Sequence, residues 1–211
     1  MKKKTQPSYP NRTIFCGEIV AEYWMPKKAS GKAVIICDGC PAMPSKNKLG
    51  QFFARKGYWV FHPRYRGTWE SKGEFLKQSP AEDINDVINA LSEGFTDTMT
   101  GTTYFLDIRE VTVVGASFGG AAAILSTKNP LVTKAVAIAP VVDWGITTKE
   151  EPFEKFVAEI TGGFPGAYRA KLSSYKKLLK KRFYNPVDHA DKLDGTKLFL
   201  IHAKDDACVY Q

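Results

Sequence analysis

Apolar residues in this chain gather into short continuous runs separated by amphipathic stretches. Ala33-Val34-Ile35-Ile36-Cys37, Tyr58-Trp59-Val60-Phe61, Val111-Thr112-Val113-Val114, Ala135 to Ala139 and Lys197-Leu198-Phe199-Leu200-Ile201 are each four or five residues long. Runs of that length suit strands covered on both faces, as in a parallel sheet. The earlier stretch Thr13 to Met25 is longer, aromatic and β-branched, and predicts one long strand or a hairpin. Between the runs the period changes to that of a helix. Leu49 to Lys56 is one such segment, with Gly57 as its stop. Another begins at Ser79, which can cap it, with Pro80 at the first helical position and Glu82 and Asp83 near the positive end of the dipole. Ile84, Val87, Ile88 and Leu91 form its inward stripe. An alanine-rich helix after Ser117 reaches about Lys128.

Strands alternating with helices predict an α/β fold, a mostly parallel twisted sheet with helices on both faces. A length of 211 residues fits one domain, 1–211. Within it, 141–194 is helical and loop-like and longer than a crossover needs, so it reads as a helical, cap-like insertion.

Composition narrows the function classes. Apolar residues at 44% and charged residues at 25% are ordinary for a soluble globular protein. No apolar run reaches the roughly 18 residues of a membrane span, and no apolar segment follows Lys2, Lys3 and Lys4, so a cytoplasmic location without membrane contact is the expectation. The net charge of +8 raises the question of nucleic acid. Much of the excess lies at Arg169, Lys171, Lys176, Lys177, Lys180, Lys181 and Arg182, where Leu172, Tyr175, Leu178 and Leu179 recur at helical spacing. That pattern is an amphipathic helix with a solvated basic face, and no nucleic-acid-binding motif accompanies it. Cys37 and Cys40 have C-x-x-C spacing, but a zinc site wants a second ligand pair, and only Cys16, Cys208 and three scattered histidines remain. Two reduced thiols at a strand end are the expectation, with no metal and no organic cofactor.

The chemistry is concentrated in Gly115-Ala116-Ser117-Phe118-Gly119, which matches G-x-S-x-G between an apolar strand and a helix. A strand turning sharply into a helix strains the serine backbone, exposes the hydroxyl and leaves no room for side chains two positions away. Ser117 is therefore the candidate nucleophile. An oxyanion hole needs two converging donors. The Phe118 N–H is one; the other should come from Asp38-Gly39-Cys40-Pro41, where Cys40 carries the last N–H before the proline, with Gly39 as the fallback. A triad acid should follow a late strand, and both Asp205 and Asp206 lie just beyond Ile201.

Four stretches then carry a family likeness: Tyr65-Arg66-Gly67 with Gly73-Glu74-Phe75, the nucleophile run ending in Gly119-Gly120, Ala139-Pro140-Val141-Val142-Asp143-Trp144, and Ile201 to Val209. With them the sequence resembles α/β hydrolases, and among these the catalytic domain of the prolyl oligopeptidase family and its short esterase-like relatives. The resemblance implies acyl transfer on an ester or peptide substrate. It matches His202 to a motif histidine that is not catalytic, puts Ala203 where the motif has glycine, and gives Asp206 the acid's place. The family's β-propeller has no counterpart. The catalytic histidine should follow the acid by a few tens of residues, yet only five residues follow Asp206. His62, His189 and His202 are poor substitutes by position. The expectation is a C-terminally incomplete domain, lacking its last strand, its last helix and its histidine, and impaired as it stands; the alternative is a non-catalytic binding module on the same fold.

Overall fold

The computed structural model describes residues 10–146, 148–150, 152–181 and 183–209. Lys2, Lys3, Lys4, Arg182 and Gln211 lie outside the described residues.

The first segment folds as the hairpin β1 (Asn11–Phe15) and β2 (Ile19–Trp24), closed through Cys16 and Gly17 at positive φ. The apolar runs become β3 (Lys32–Cys37) and β4 (Trp59–Pro63). A hairpin of two-residue strands that the sequence pattern did not reveal, β5 (Phe95–Thr96) with β6 (Thr103–Tyr104), precedes β7 (Glu110–Ala116), β8 (Val132–Ile138) and β9 (Leu198–Ile201). Among the described residues one sheet has the order β1-β2-β4-β3-β7-β8-β9. β1, β2 and β4 pair antiparallel, and every pairing from β4 through β9 is parallel. This is the mostly parallel sheet the alternating runs predict.

Side chains on a strand point alternately to the two faces, and β3 divides accordingly. Ala33, Ile35 and Cys37 join the larger core, while Val34 and Ile36 join a smaller one on the opposite face. Helix α1 (Asn47–Arg55) closes the smaller core with Leu49, Phe53 and Ala54 against Trp24 and Val60. Helices α2 (Pro80–Ala90) and α3 (Phe118–Leu125) close the larger one. Helix α2 starts as its residues direct: the Ser79 hydroxyl accepts from the Ala81 N–H at 3.3 Å, Pro80 fills the first turn, and Ile84, Val87, Ile88 and Leu91 are buried.

Residues 141–194 hold α4 (Phe153–Gly163) and α5 (Leu172–Lys181). Phe156, Ile160, Tyr175 and Leu178 from these helices join the larger core. The basic helix α5 is amphipathic, but its buried stripe is narrower than the spacing suggests, because Leu172 and Leu179 are exposed. β9 forms the edge of the sheet, and Phe199, Leu200 and Ile201 are exposed along it.

Candidate active site

β7 passes into α3 through Ser117, whose backbone takes φ 52° and ψ −123°. A positive φ is costly for a residue with a Cβ and persists only where the surroundings over-determine it. Here they do. The Ser117 N–H donates to the Ile138 carbonyl at 2.9 Å, and the Ser117 carbonyl accepts from the N–H groups of Gly120 at 2.9 Å and Val141 at 3.2 Å. The three glycines are required by close approach. A Cβ on Gly115 would stand 2.5 Å from the Gly119 carbonyl carbon and overlap its oxygen. One on Gly119 would lie 2.5 Å from the Cys37 carbonyl oxygen, and one on Gly120 would lie 2.7 Å from Pro140 Cβ. Strand, turn and helix thus touch backbone to backbone, leaving Ser117 partly exposed at the carboxyl end of the parallel strands.

Facing it is the loop after β3. A Cβ on Gly39 would sit 3.9 Å from the Ser117 Cβ, so the Asp38–Cys40 backbone passes directly over the serine. The Tyr65 hydroxyl donates to the Asp38 carbonyl at 3.0 Å, and the Ala42 N–H donates to the Tyr168 hydroxyl at 2.9 Å. The Asp38 carboxylate is held from beneath by His62 Nε2 at 2.8 Å and by the Lys46 ammonium. Burial pushes this carboxyl up, but the His62 hydrogen bond and charge, with Lys46, bring it below its ordinary value. His62 is completely buried, and its Nδ1 faces the Arg64 guanidinium at 3.2 Å and Glu22 at 3.6 Å. Arg64 in turn pairs with Glu22 at 2.9 Å. No periodicity in the chain signals this cluster, since its members come from β2, β4 and two loops.

Two of the other stretches singled out in the sequence, 65–75 and 139–144, converge on Phe118, immediately after the serine. Its ring meets Tyr65 and Phe75 at 5.7 Å each, Trp144 at 5.6 Å and Tyr184 at 4.8 Å. The Tyr184 hydroxyl donates to the Phe118 carbonyl at 2.6 Å, and the Trp144 indole N–H donates to the Tyr184 carbonyl at 2.9 Å. Arg66 binds Glu18 and Asp83 at 2.6 Å and Asp86 at 2.7 Å, which fixes the turn that delivers Tyr65.

Asp206 lies five residues beyond the end of β9, whose Ile201 carbonyl accepts from the Ala139 N–H at 2.7 Å, at the same carboxyl end of the parallel strands as Ser117. Asp206 Oδ1 accepts from the N–H groups of Cys208 and Val209 at 2.9 Å each, and these two bonds hold its carboxyl below the usual range. Its other oxygen stands 3.4 Å from His202 Nε2, which lies 3.0 Å from the Val209 carbonyl oxygen. Asp205, by contrast, is exposed. His189 has Lys128 and Lys192 as charged neighbours, and burial, followed by these cations, lowers its pKa. Lys128 closes the turn Ser126–Lys128, at the far end of α3 from the serine. Among the described residues no histidine is hydrogen-bonded to the Ser117 hydroxyl.

Comparison with known proteins now decides the family. The model of the prolyl oligopeptidase family matches residues 45–211. The chain belongs to that family. A search of curated proteins finds no match. Among solved structures, the acylaminoacyl peptidase of Pyrococcus horikoshii aligns over 99% of this chain and 34% of its own, with TM-score 0.64 and 18% identity. An esterase of Pyrococcus furiosus aligns over 94% of this chain and 71% of its own, with TM-score 0.60 and 18% identity. Dipeptidyl peptidase 4 of Porphyromonas gingivalis covers 97% of this chain and 28% of its own, with TM-score 0.62 and 18% identity. The chain spans about half, or less, of the length of the first solved structures it matches. At such identities they establish the α/β-hydrolase fold.

No disulfide links the four cysteines of this prolyl oligopeptidase family chain: Cys37 and Cys40 are buried, Cys16 and Cys208 exposed. Among the described residues no group of three or more His, Cys, Asp or Glu could hold a metal ion, and no helix is long and apolar enough to cross a membrane. Burial raises the Cys37 and Cys40 thiols well above their ordinary value, which suppresses the reactive thiolate. A disulfide-exchange reagent added to native protein at neutral pH is therefore expected to titrate Cys16 and Cys208, with Cys37 and Cys40 reacting only after denaturation. Four fast thiols in the native state would contradict this burial.

Proposed function

We propose that this chain carries the nucleophile, the oxyanion donors and the acid of a serine hydrolase that cleaves an ester or amide bond by acyl transfer. The observation that carries the reading is Ser117 held at φ 52° between a strand and a helix, with the loop after β3 passing over it. In the proposed reaction the Ser117 oxygen attacks the substrate carbonyl and its proton passes to an imidazole. The oxyanion accepts from the N–H groups of Phe118 and Cys40. The imidazolium then protonates the leaving alcohol or amine, and water releases the acyl group by the same steps. His62 is spent on Asp38, His189 stands at the far end of α3, and His202 is engaged with Asp206 and Val209. The base is accordingly a histidine from outside these 211 residues, contributed by further chain or by another subunit, and Asp206 orients it. A carboxylate has about four acceptor positions, so the two backbone bonds to Oδ1 leave Asp206 able to take an imidazole N–H. No cofactor takes part, and the substrate is a small ester or a peptide.

The experiment is reaction with a fluorophosphonate followed by mass spectrometry of the modified peptide. Modification at Ser117 is expected in a form that holds the base, and modification elsewhere or nowhere would favour a non-catalytic binding module. In that form Asp206→Asn is expected to lower ester turnover by roughly 10³- to 10⁴-fold, as loss of a triad acid does, with Asp205→Asn near wild type. The opposite ranking would transfer the role to Asp205.

A further inference from the structure

Asp38 makes more contacts than an ordinary loop residue needs. Its carbonyl and that of Cys37 press against Gly119 in the turn of the serine, where a Cβ would not fit. The same carbonyl accepts from the Tyr65 hydroxyl at 3.0 Å. Its carboxylate is bracketed by His62 at 2.8 Å on one oxygen and by the Lys46 ammonium on the other. The next residue, Gly39, lies over Ser117, and the one after it is Cys40. The direction of the Gly39 and Cys40 N–H groups is therefore set by how Asp38 is anchored on both its backbone and its side chain.

The anchor is stiff for a physical reason. A buried imidazole and carboxylate left unpaired would each bear a large desolvation penalty, so the pair holds one geometry. His62 is itself fixed from behind by Arg64 at 3.2 Å, and Arg64 by Glu22 at 2.9 Å. Glu22 and His62 are register partners on the paired strands β2 and β4, and Arg64 follows directly after β4, so the His62 side of the bracket is built on the sheet.

We propose that Asp38, held by the buried His62 and by Lys46, is a positioning residue that aims the loop's backbone N–H at the oxyanion above Ser117. This rests on the serine-hydrolase reading above. It assigns His62 to the oxyanion side of the site and removes it as a source of the base.

The test compares His62→Leu, His62→Gln and Lys46→Met with wild type in the full-length protein. Gln can offer its amide N–H where His62 Nε2 stands, whereas Leu cannot. Lys46 is partly exposed, so Lys46→Met removes half the bracket without emptying the core. Two readouts are taken on folded protein: amide hydrogen exchange at Gly39, Cys40 and Ala42, and kcat and KM on a short acyl ester. His62→Leu and Lys46→Met are expected to speed exchange at these three amides by about 10-fold or more, with Val111 to Val114 unchanged. They should lower kcat by about 10- to 100-fold with KM altered far less, the pattern of a displaced oxyanion donor. His62→Gln should restore both towards wild type. Unchanged exchange in both His62→Leu and Lys46→Met overturns the bracket. Faster exchange with undiminished kcat overturns its link to the oxyanion. If the variants show the exchange response while Ser117 of the wild-type protein is never modified by a fluorophosphonate, the hydrolase reading is overturned and the positioning role with it, leaving a loop brace.

Discussion

Replacing Ser117 by alanine, in a form of the protein that reacts with fluorophosphonates, is expected to abolish the modification and to lower ester turnover by roughly 10⁴- to 10⁶-fold. The hydroxyl oxygen is the sole heavy atom lost, and with it the covalent intermediate; what remains is the weak catalysis of binding and oxyanion donors acting on water. The backbone is not relieved, because alanine at φ 52° carries the same Cβ as serine, and the bonds to Ile138, Gly120 and Val141 are all backbone. The thermal midpoint of Ser117→Ala should therefore match wild type, separating lost chemistry from lost fold. The 211-residue chain alone is expected to modify poorly even with Ser117 intact, since an unassisted serine hydroxyl is a weak nucleophile. A form that supplies the imidazole, from further chain or from another subunit, should modify readily. Rapid, stoichiometric modification of the 211-residue chain at Ser117 would show that a base is already in place.

The second large effect is on stability. Gly115→Ala is expected to destabilise the fold by about 3 kcal/mol or more, because overpacking against backbone lies at the upper end of such substitutions. The added Cβ meets the Gly119 carbonyl, and neither partner can retreat. Gly119 is already wedged against the Cys37 and Asp38 carbonyls, and Gly120 against Pro140. For a domain of this size the loss corresponds to a fall of about 6–12 °C in Tm. Gly162→Ala in α4 is the control: its Cβ meets nothing within 4 Å, and the helix gains backbone rigidity, so its midpoint should stay level or rise slightly. Equal midpoints for Gly115→Ala and wild type would mean that the turn is less tightly packed than the structure shows.

These two expectations draw on different levels of information. The turn at Ser117 was legible in the chain because its causes are local: an apolar strand, small residues at fixed offsets and a helix-forming run lie within about fifteen residues. The parallel runs and the Ser79 cap were legible for the same reason, since burial on both faces and capping leave their mark on neighbouring residues, whereas the first segment read as one long strand or a hairpin and the structure makes it a hairpin. Asp206 could be separated from Asp205 in the sequence only by its place in a motif; the two N–H bonds to Asp206 and the exposure of Asp205 are properties of the folded loop.

Tertiary structure alone decided the rest. The order β2-β4-β3-β7 puts β4 between the hairpin and β3, so His62 comes to lie beside Glu22 and beneath Asp38, residues 40 and 24 positions away. Nothing periodic links these three, because a buried polar cluster is specified by mutual charge and hydrogen bonding across strands and not by a repeat along one. The same holds for α5, where spacing nominated four apolar residues and packing buried Tyr175 and Leu178. Sequence alone determined the main strands of the parallel sheet, the helices α1, α2 and α3 and the place of the strained serine, since those follow from each residue's near neighbours, and it left the β5–β6 hairpin unmarked. Which loop crosses that serine, and which buried charges hold the loop in place, were decided by strand order, since only the assembled sheet brings those groups within bonding distance.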